Sequence, residues 1–174
     1  PSLGNNGHYE FKLGTQAMWK PCRWAALRGD ITGFILSRNR ECVATAFLNS
    51  NVKNIGLPVQ AEIKWNYYIL HLDMLFTPPN CYGFGGVIGY ENYYKSQDDI
   101  RFCRSQARDC LGNLEQLSAK TITRNTRVMS HKIRGEAFAQ ACDWLQFFGG
   151  ASSVLAGENI SKETEWYLGF NAYF

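Results

Sequence analysis

From residue 100 to 117, apolar residues return every three or four positions: Ile100, Cys103, Ala107, Cys110 or Leu111, Leu114 and Leu117. That period places them on one stripe of an α-helix, with Arg101, Arg104 and Arg108 on the other side. Ser96, with Asp99 three residues on, resembles a capping box at its start. A second helix is predicted over 136–148. There Ala137, Phe138, Ala141, Trp144, Leu145 and Phe148 share a side, and Gly149-Gly150 stops the element.

The segments before these helices read as strands. Over 8–13, Tyr9, Phe11 and Leu13 alternate with His8, Glu10 and Lys12. The runs 31–36 and 42–48, joined by Ser37-Arg38-Asn39-Arg40-Glu41, predict a hairpin. Over 15–27 there is helical character, broken at Pro21. The stretch 59–76 is too long for one strand and splits or bends near Asn66, and Thr77-Pro78-Pro79-Asn80 ends it. A glycine-punctuated strand follows over 81–94, and the aromatic tail 166–174 is a last strand. Strands, then two helices, then a strand predict an α+β domain, an antiparallel sheet with two amphipathic helices packed on one face. At 174 residues and 45% hydrophobic, the chain has material for one core. A single domain over 1–174 is expected, with no internal repeat and no linker.

No apolar run approaches the roughly eighteen residues that cross a bilayer, so no transmembrane segment is expected. The opening PSLGNNGHYE has no basic leader followed by an apolar stretch. A chain beginning at Pro1 is expected to follow signal cleavage, polyprotein processing or loss of an initiator Met. Charged residues are 19% of the chain, below the roughly 25% of an average soluble domain. Asn, Gly, Ser and Tyr fill the difference, a composition of secreted proteins and viral shells. Six cysteines are present, Cys22, Cys42, Cys81, Cys103, Cys110 and Cys142, none in a CxxC or CxxH pair. No metal site and no cofactor are therefore expected. An even count at wide spacing favours three disulfides over buried thiols, and with them an extracellular location; a virion or a host cytoplasm is the alternative. The sequon Asn159-Ile160-Ser161 is compatible with export.

The net charge of +3 conceals an asymmetry. Arg101, Arg104, Arg108, Lys120, Arg124, Arg127, Lys132 and Arg134 face only Asp109 and Glu115 within their segment. A one-sided basic patch of this kind suits a polyanion such as nucleic acid, an acidic glycan or an anionic membrane. Aromatic residues crowd an adjacent stretch: Trp65, Tyr67, Tyr68, Tyr82, Phe84, Tyr90, Tyr93 and Tyr94. Tyr and Trp at this density favour recognition of a protein or glycan, although about half must serve the core.

Among candidate catalytic pairs, His8 with Cys81 ranks first. His8-Tyr9-Glu10-Phe11-Lys12-Leu13-Gly14 is a histidine opening a strand that ends in Gly, and Asn80-Cys81 follows much later. Together they resemble the H-box and NC pattern of the lecithin:retinol acyltransferase-like thiol acyltransferases. The resemblance implies Cys81 as nucleophile and His8 as its base. It covers under a tenth of the chain, and Tyr82-Gly83-Phe84-Gly85-Gly86 stands where that family has a helix. Cys22 lacks the glycine-serine framework of a papain-like nucleophile. Arg28-Gly29-Asp30 spells an integrin tripeptide that needs a loop tip, and the glycines of 83–89 lack the GK[ST] of a phosphate loop. His71 reads as a half-buried strand histidine. Pro1 does not open the apolar strand that an N-terminal-proline tautomerase requires.

These readings rank as follows. First is a secreted, viral or pathogen-derived binding protein that recognises a host protein or glycan through an aromatic β-surface. Second is a coat-like polyanion binder using the basic segment. Third is a Cys-His thiol enzyme. A homo-oligomer is open, since the aromatic tail can seal an interface.

Overall fold

The computed structural model describes residues 7–48, 57–78, 83–109 and 111–173. Among them the chain is nearly all β. In order it forms β1 (Glu10–Cys22), β2 (Ala25–Leu36), β3 (Asn39–Val43), β4 (Val59–Lys64), β5 (Asn66–Phe76), β6 (Phe84–Lys95) and β7 (Asp99–Phe102). Then come β8 (Gln106–Arg108), β9 (Leu114–Gln116), the single-turn α1 (Ala119–Thr123), β10 (Val128–Cys142), β11 (Leu145–Glu158) and β12 (Thr164–Ala172). A seven-stranded sheet has the order β1-β2-β5-β6-β10-β11-β12, and two small sheets have the orders β3-β4-β7 and β8-β9.

The α+β expectation is thus overturned, because neither amphipathic helix forms. Over 99–102 burial alternates, with Ile100 buried and Asp99 and Arg101 exposed, which is the period of a strand. Further on, Asp109 Oδ1 accepts from the amides of Leu111 and Asn113, both at 2.8 Å, and folds the would-be helix into a turn. Leu111 and Leu114, assigned to a buried stripe, are exposed. The second predicted helix is a β-hairpin in which Phe138 lies opposite Phe148 and Ala137 opposite Gly149. Its helix-favouring alanines are overridden by pairing on both sides, with β6 and with β11. The hairpin expected between 31–36 and 42–48 is also replaced: β2 pairs with β1 and β5, and β3 pairs with β4. The break near Asn66 and the strands at 84–95 and 164–172 agree with the sequence reading.

Contacts divide the chain into two compact units. Unit 1 comprises Pro1–Lys12, Phe34–Tyr67 and Lys95–Val128. It contains the β3-β4-β7 sheet, β8, β9 and α1, the last opened by Ser118, whose Oγ accepts from the Thr121 amide at 3.3 Å. Two clusters make its core: Ala46, Ala61, Ile63, Ile100 and Ile122, and Phe47, Val59, Ala107 and Leu117. Unit 2 comprises Leu13–Gly33, Tyr68–Tyr94 and Met129–Phe174, all from the seven-stranded sheet and its turns.

Unit 2 carries an internal repeat that the sequence reading missed. The β1–β2 and β10–β11 hairpins turn on Cys22-Arg23-Trp24 and Cys142-Asp143-Trp144, and a glycine follows five residues after each Trp, at Gly29 and Gly149. The Trp24 carbonyl accepts from the Thr77 amide at 2.8 Å, just past β5. The Trp144 carbonyl accepts from the Tyr173 amide at 2.9 Å, just past β12. A Cβ at Gly29 would lie 3.2 Å from Leu72, and one at Gly149 would lie 3.0 Å from Leu168. So β1-β2-β5 and β10-β11-β12 repeat one three-stranded meander, interrupted in the first by β3 and β4, with β6 between them.

Candidate functional site

Within unit 2 the sequence alternates charged and apolar residues, as in Leu70-His71-Leu72-Asp73-Met74 on β5 and Lys132-Ile133-Arg134-Gly135-Glu136 on β10. A strand sends successive side chains to opposite faces, so one face gathers the charges and the other the apolar groups.

The charged face centres on Asp73, whose side chain is buried. Arg28 donates to its Oδ2 from Nη2 at 2.5 Å and from Nε at 3.2 Å, and Arg134 donates to Oδ1 at 2.7 Å. Burial pushes the Asp73 carboxyl up, but the bonds and charges of Arg134 and Arg28 outweigh it and hold its pKa below the usual carboxylate range. Gly89 makes the bridge possible, because a Cβ there would come within 2.5 Å of both Arg134 Nε and Asp73 Oδ1. Alongside, His71 lies between two carboxylates, with Nδ1 at 2.9 Å from Asp30 and Nε2 at 3.0 Å from Glu91. Burial disfavours the imidazolium, yet the bonds to Asp30 and Glu91 and their charges raise its pKa above the ordinary histidine value. The network continues as Lys132 donates to Glu165 at 2.8 Å and Tyr167 to Glu136 at 3.1 Å.

Both His71 nitrogens are engaged by carboxylates. Asp73 is spoken for on both oxygens. Among the described residues, no group of three His, Cys, Asp or Glu is placed to hold a metal.

The opposite face is apolar and open. Trp166 and Leu168 on β12 are 80% and 88% exposed. Leu27 and Ile31 on β2, Leu72 and Met74 on β5, Ile88 on β6 and Ile133 on β10 are each between 38% and 55% exposed. Two hollows indent it. One, of about 520 Å³, is lined by Ala17, Trp19, Leu27, Gly29, Leu72 and Met74 of the first meander, with Ile88 and Ile133. The other, of about 880 Å³, is lined by Gly135, Ala137, Gly149, Ala151, Trp166 and Leu168 of the second, with Gly86 and Ile88. The repeat accounts for the pair, since each hollow combines an alanine of the first strand, the glycine after Cys-x-Trp, and the leucine opposite it.

Several of the residues singled out from sequence engage partners within the chain. His8 is buried in unit 1, with Nδ1 2.6 Å from the Ser37 carbonyl and Nε2 3.0 Å from Glu41. Cys81 and Cys110 lie outside the described residues. Cys22, Cys42, Cys103 and Cys142 are free thiols, no two of them bonded. Trp65 packs on His8 and under Lys95, and Tyr67 stacks on Phe34. Tyr68 stacks on Tyr94, Tyr90 bonds His131 at 2.6 Å, and burial raises the Tyr93 pKa. The basic segment divides, with Arg101, Arg104, Arg108, Arg124 and Arg127 in unit 1 and Lys132 and Arg134 in unit 2. The last two are paired with Glu165 and Asp73. Arg28-Gly29-Asp30 lies within β2 rather than on a loop tip, with Arg28 bound to Asp73 and Asp30 to His71.

Missed from the sequence were Leu27, Leu72, Met74, Ile88 and Ile133. The signal that finds Leu72, Met74 and Ile133 is the strict alternation with charge on β5 and β10. Fold and site together define a β-protein whose seven-stranded sheet has one charged and one open apolar face in unit 2. No known protein family, curated protein or solved structure matches the chain. Among the described residues, no helix is long and apolar enough to cross a membrane.

Proposed function

We propose that the chain is a non-enzymatic binding protein whose working surface is the apolar face of unit 2. One observation carries this. Among the described residues every buried apolar side chain lies in unit 1, while the apolar side chains of unit 2 remain at the surface. A contiguous apolar surface larger than a few hundred Å² is a mark of an interaction site. The β-surface of the sequence reading is thereby kept as the recognition element, but its residues change from tyrosines to Trp166, Leu168 and the aliphatic side chains beside them. A protein partner fits this face better than a glycan, which needs polar groups beside each stacking ring.

The test is titration of the full chain, at high dilution, with a dye that fluoresces on apolar surfaces. Dye binding is expected, and the double variant Trp166→Glu/Leu168→Glu should lose most of it. Leu111→Glu, which removes an exposed leucine from unit 1, should lose none. Equal dye binding by all three proteins would overturn the reading.

A further inference from the structure

We propose that the occupant of this face is a second copy of the same chain, packed face to face into a two-sheet sandwich. The inference rests on the binding reading above and adds the partner.

Charge supports it first. On β2, β5, β6, β10, β11 and β12 the residues that alternate with the charged network are uncharged through the middle of the sheet. Two copies therefore meet without like charges in contact, and an ionic partner finds nothing to pair with. Area supports it next. The eight exposed side chains from Leu27 to Leu168 offer on the order of 800 Å², about what each partner buries in a standard interface.

Shape supports it most directly. Gly135, Ala151 and Trp166 lie side by side across β10, β11 and β12, and Ala137, Gly149 and Leu168 form the next row. Each row runs from small residues to one bulky, protruding side chain. Knob and hollow thus occur on the same face, as an isologous interface requires. Gly135 is the telling position. A Cβ there would meet nothing within 4 Å among the described residues, so no described neighbour demands glycine. Glycine weakens a strand interior and often marks where another molecule approaches closely. In the sandwich, the Trp166 and Leu168 knobs of each copy fill a hollow of the other, with the sheets about 10 Å apart.

Sedimentation velocity of the full chain over a concentration series tests this, read beside the dye titration. A dimer is expected at micromolar concentration. Trp166→Glu/Leu168→Glu should weaken it at least about tenfold, as loss of a central anchor does. Gly135→Leu should weaken it similarly while keeping the strand circular dichroism, since its new side chain fills space that is empty in the single chain. Gly135→Leu therefore decides the matter even where the double variant misfolds. A wild-type chain that stays monomeric yet binds dye on this face overturns the second copy and leaves the binding reading for a foreign protein. A monomer that binds no dye overturns both. A dimer indifferent to both variants places the interface elsewhere and overturns the inference.

Discussion

Unit 1 and unit 2 solve the same problem in opposite ways. Both are built from strands with one apolar face. Unit 1 closes its own layer: Ile63, Ile100 and Ile122 meet beneath β4, β7 and α1, and the second cluster joins Val59 and Phe47 to Ala107 and Leu117. Unit 2 has strands more than twice as long as most of those in unit 1, yet what it buries is polar: Asp73, Asn92, Ser130 and Ser152. Alternation decides which residues share a face, but only a second layer buries that face. Unit 1 draws that layer from its own sequence, and in unit 2 the proposed second copy would supply it.

The contrast can be broken most severely in the core. Ile63→Ala should cost about 3 kcal/mol of unfolding free energy, because it leaves a cavity in a closed cluster. Ile88→Ala, measured the same way on monomeric protein, should cost under about 1 kcal/mol, because that side chain is half in water already. Equal losses in denaturant titrations would erase the distinction between the units.

Next in size is the polar anchor of unit 2. Asp73→Asn should cost about 2 kcal/mol, since two arginines lose their counter-charge although both keep access to water. Because the folded Asp73 pKa is depressed, its stabilisation is present above the ordinary carboxylate pKa and is lost as pH falls through the depressed value. The variant should therefore show a flatter acid limb in urea midpoints against pH. A smaller loss, about 1 to 2 kcal/mol, is expected for Gly89→Ala, whose methyl group displaces the Arg134–Asp73 contact. An Asp73→Asn/Gly89→Ala double variant should then lose less than the sum of the two.

The smallest effect belongs to His71. Its raised folded pKa means its stabilisation is fully present below the ordinary histidine value and fades as pH rises through the folded pKa. His71→Gln should remove that slope, and a slope unchanged in the variant would assign it to another group.

Much of the strand framework was legible, and the reason is local. The Asn66 break lies between β4 and β5, and the aromatic tail is β12, because turn residues and alternation mark both within a few positions. The two helices were misread because three- and four-residue spacing arises by chance where small residues such as Ala137 and Ala141 occupy a strand. What settles their conformation is pairing with β6 and β11. Such a partner is remote or not yet identified when 136–148 is read alone. The site was legible only in part. Lys132 and Arg134 were noticed for their charge, but their acids come from strands β12 and β5. Sequence spacing carries no trace of that. The apolar face was overlooked because aliphatic residues are ordinarily assigned to a core, and no pattern announces that these stay exposed.

The repeated meander gives the molecule a built-in control. Leu72 and Leu168 occupy equivalent positions, each against the glycine that follows Cys-x-Trp, but Leu72 has β6 as its next strand and Leu168 stands at an open edge. Leu72 is 49% exposed and Leu168 88%. The same substitution made at both sites therefore weighs one neighbouring strand against none, with backbone, turn and opposing glycine held constant. Few chains offer so direct a reading of what a sheet gains by growing one strand wider.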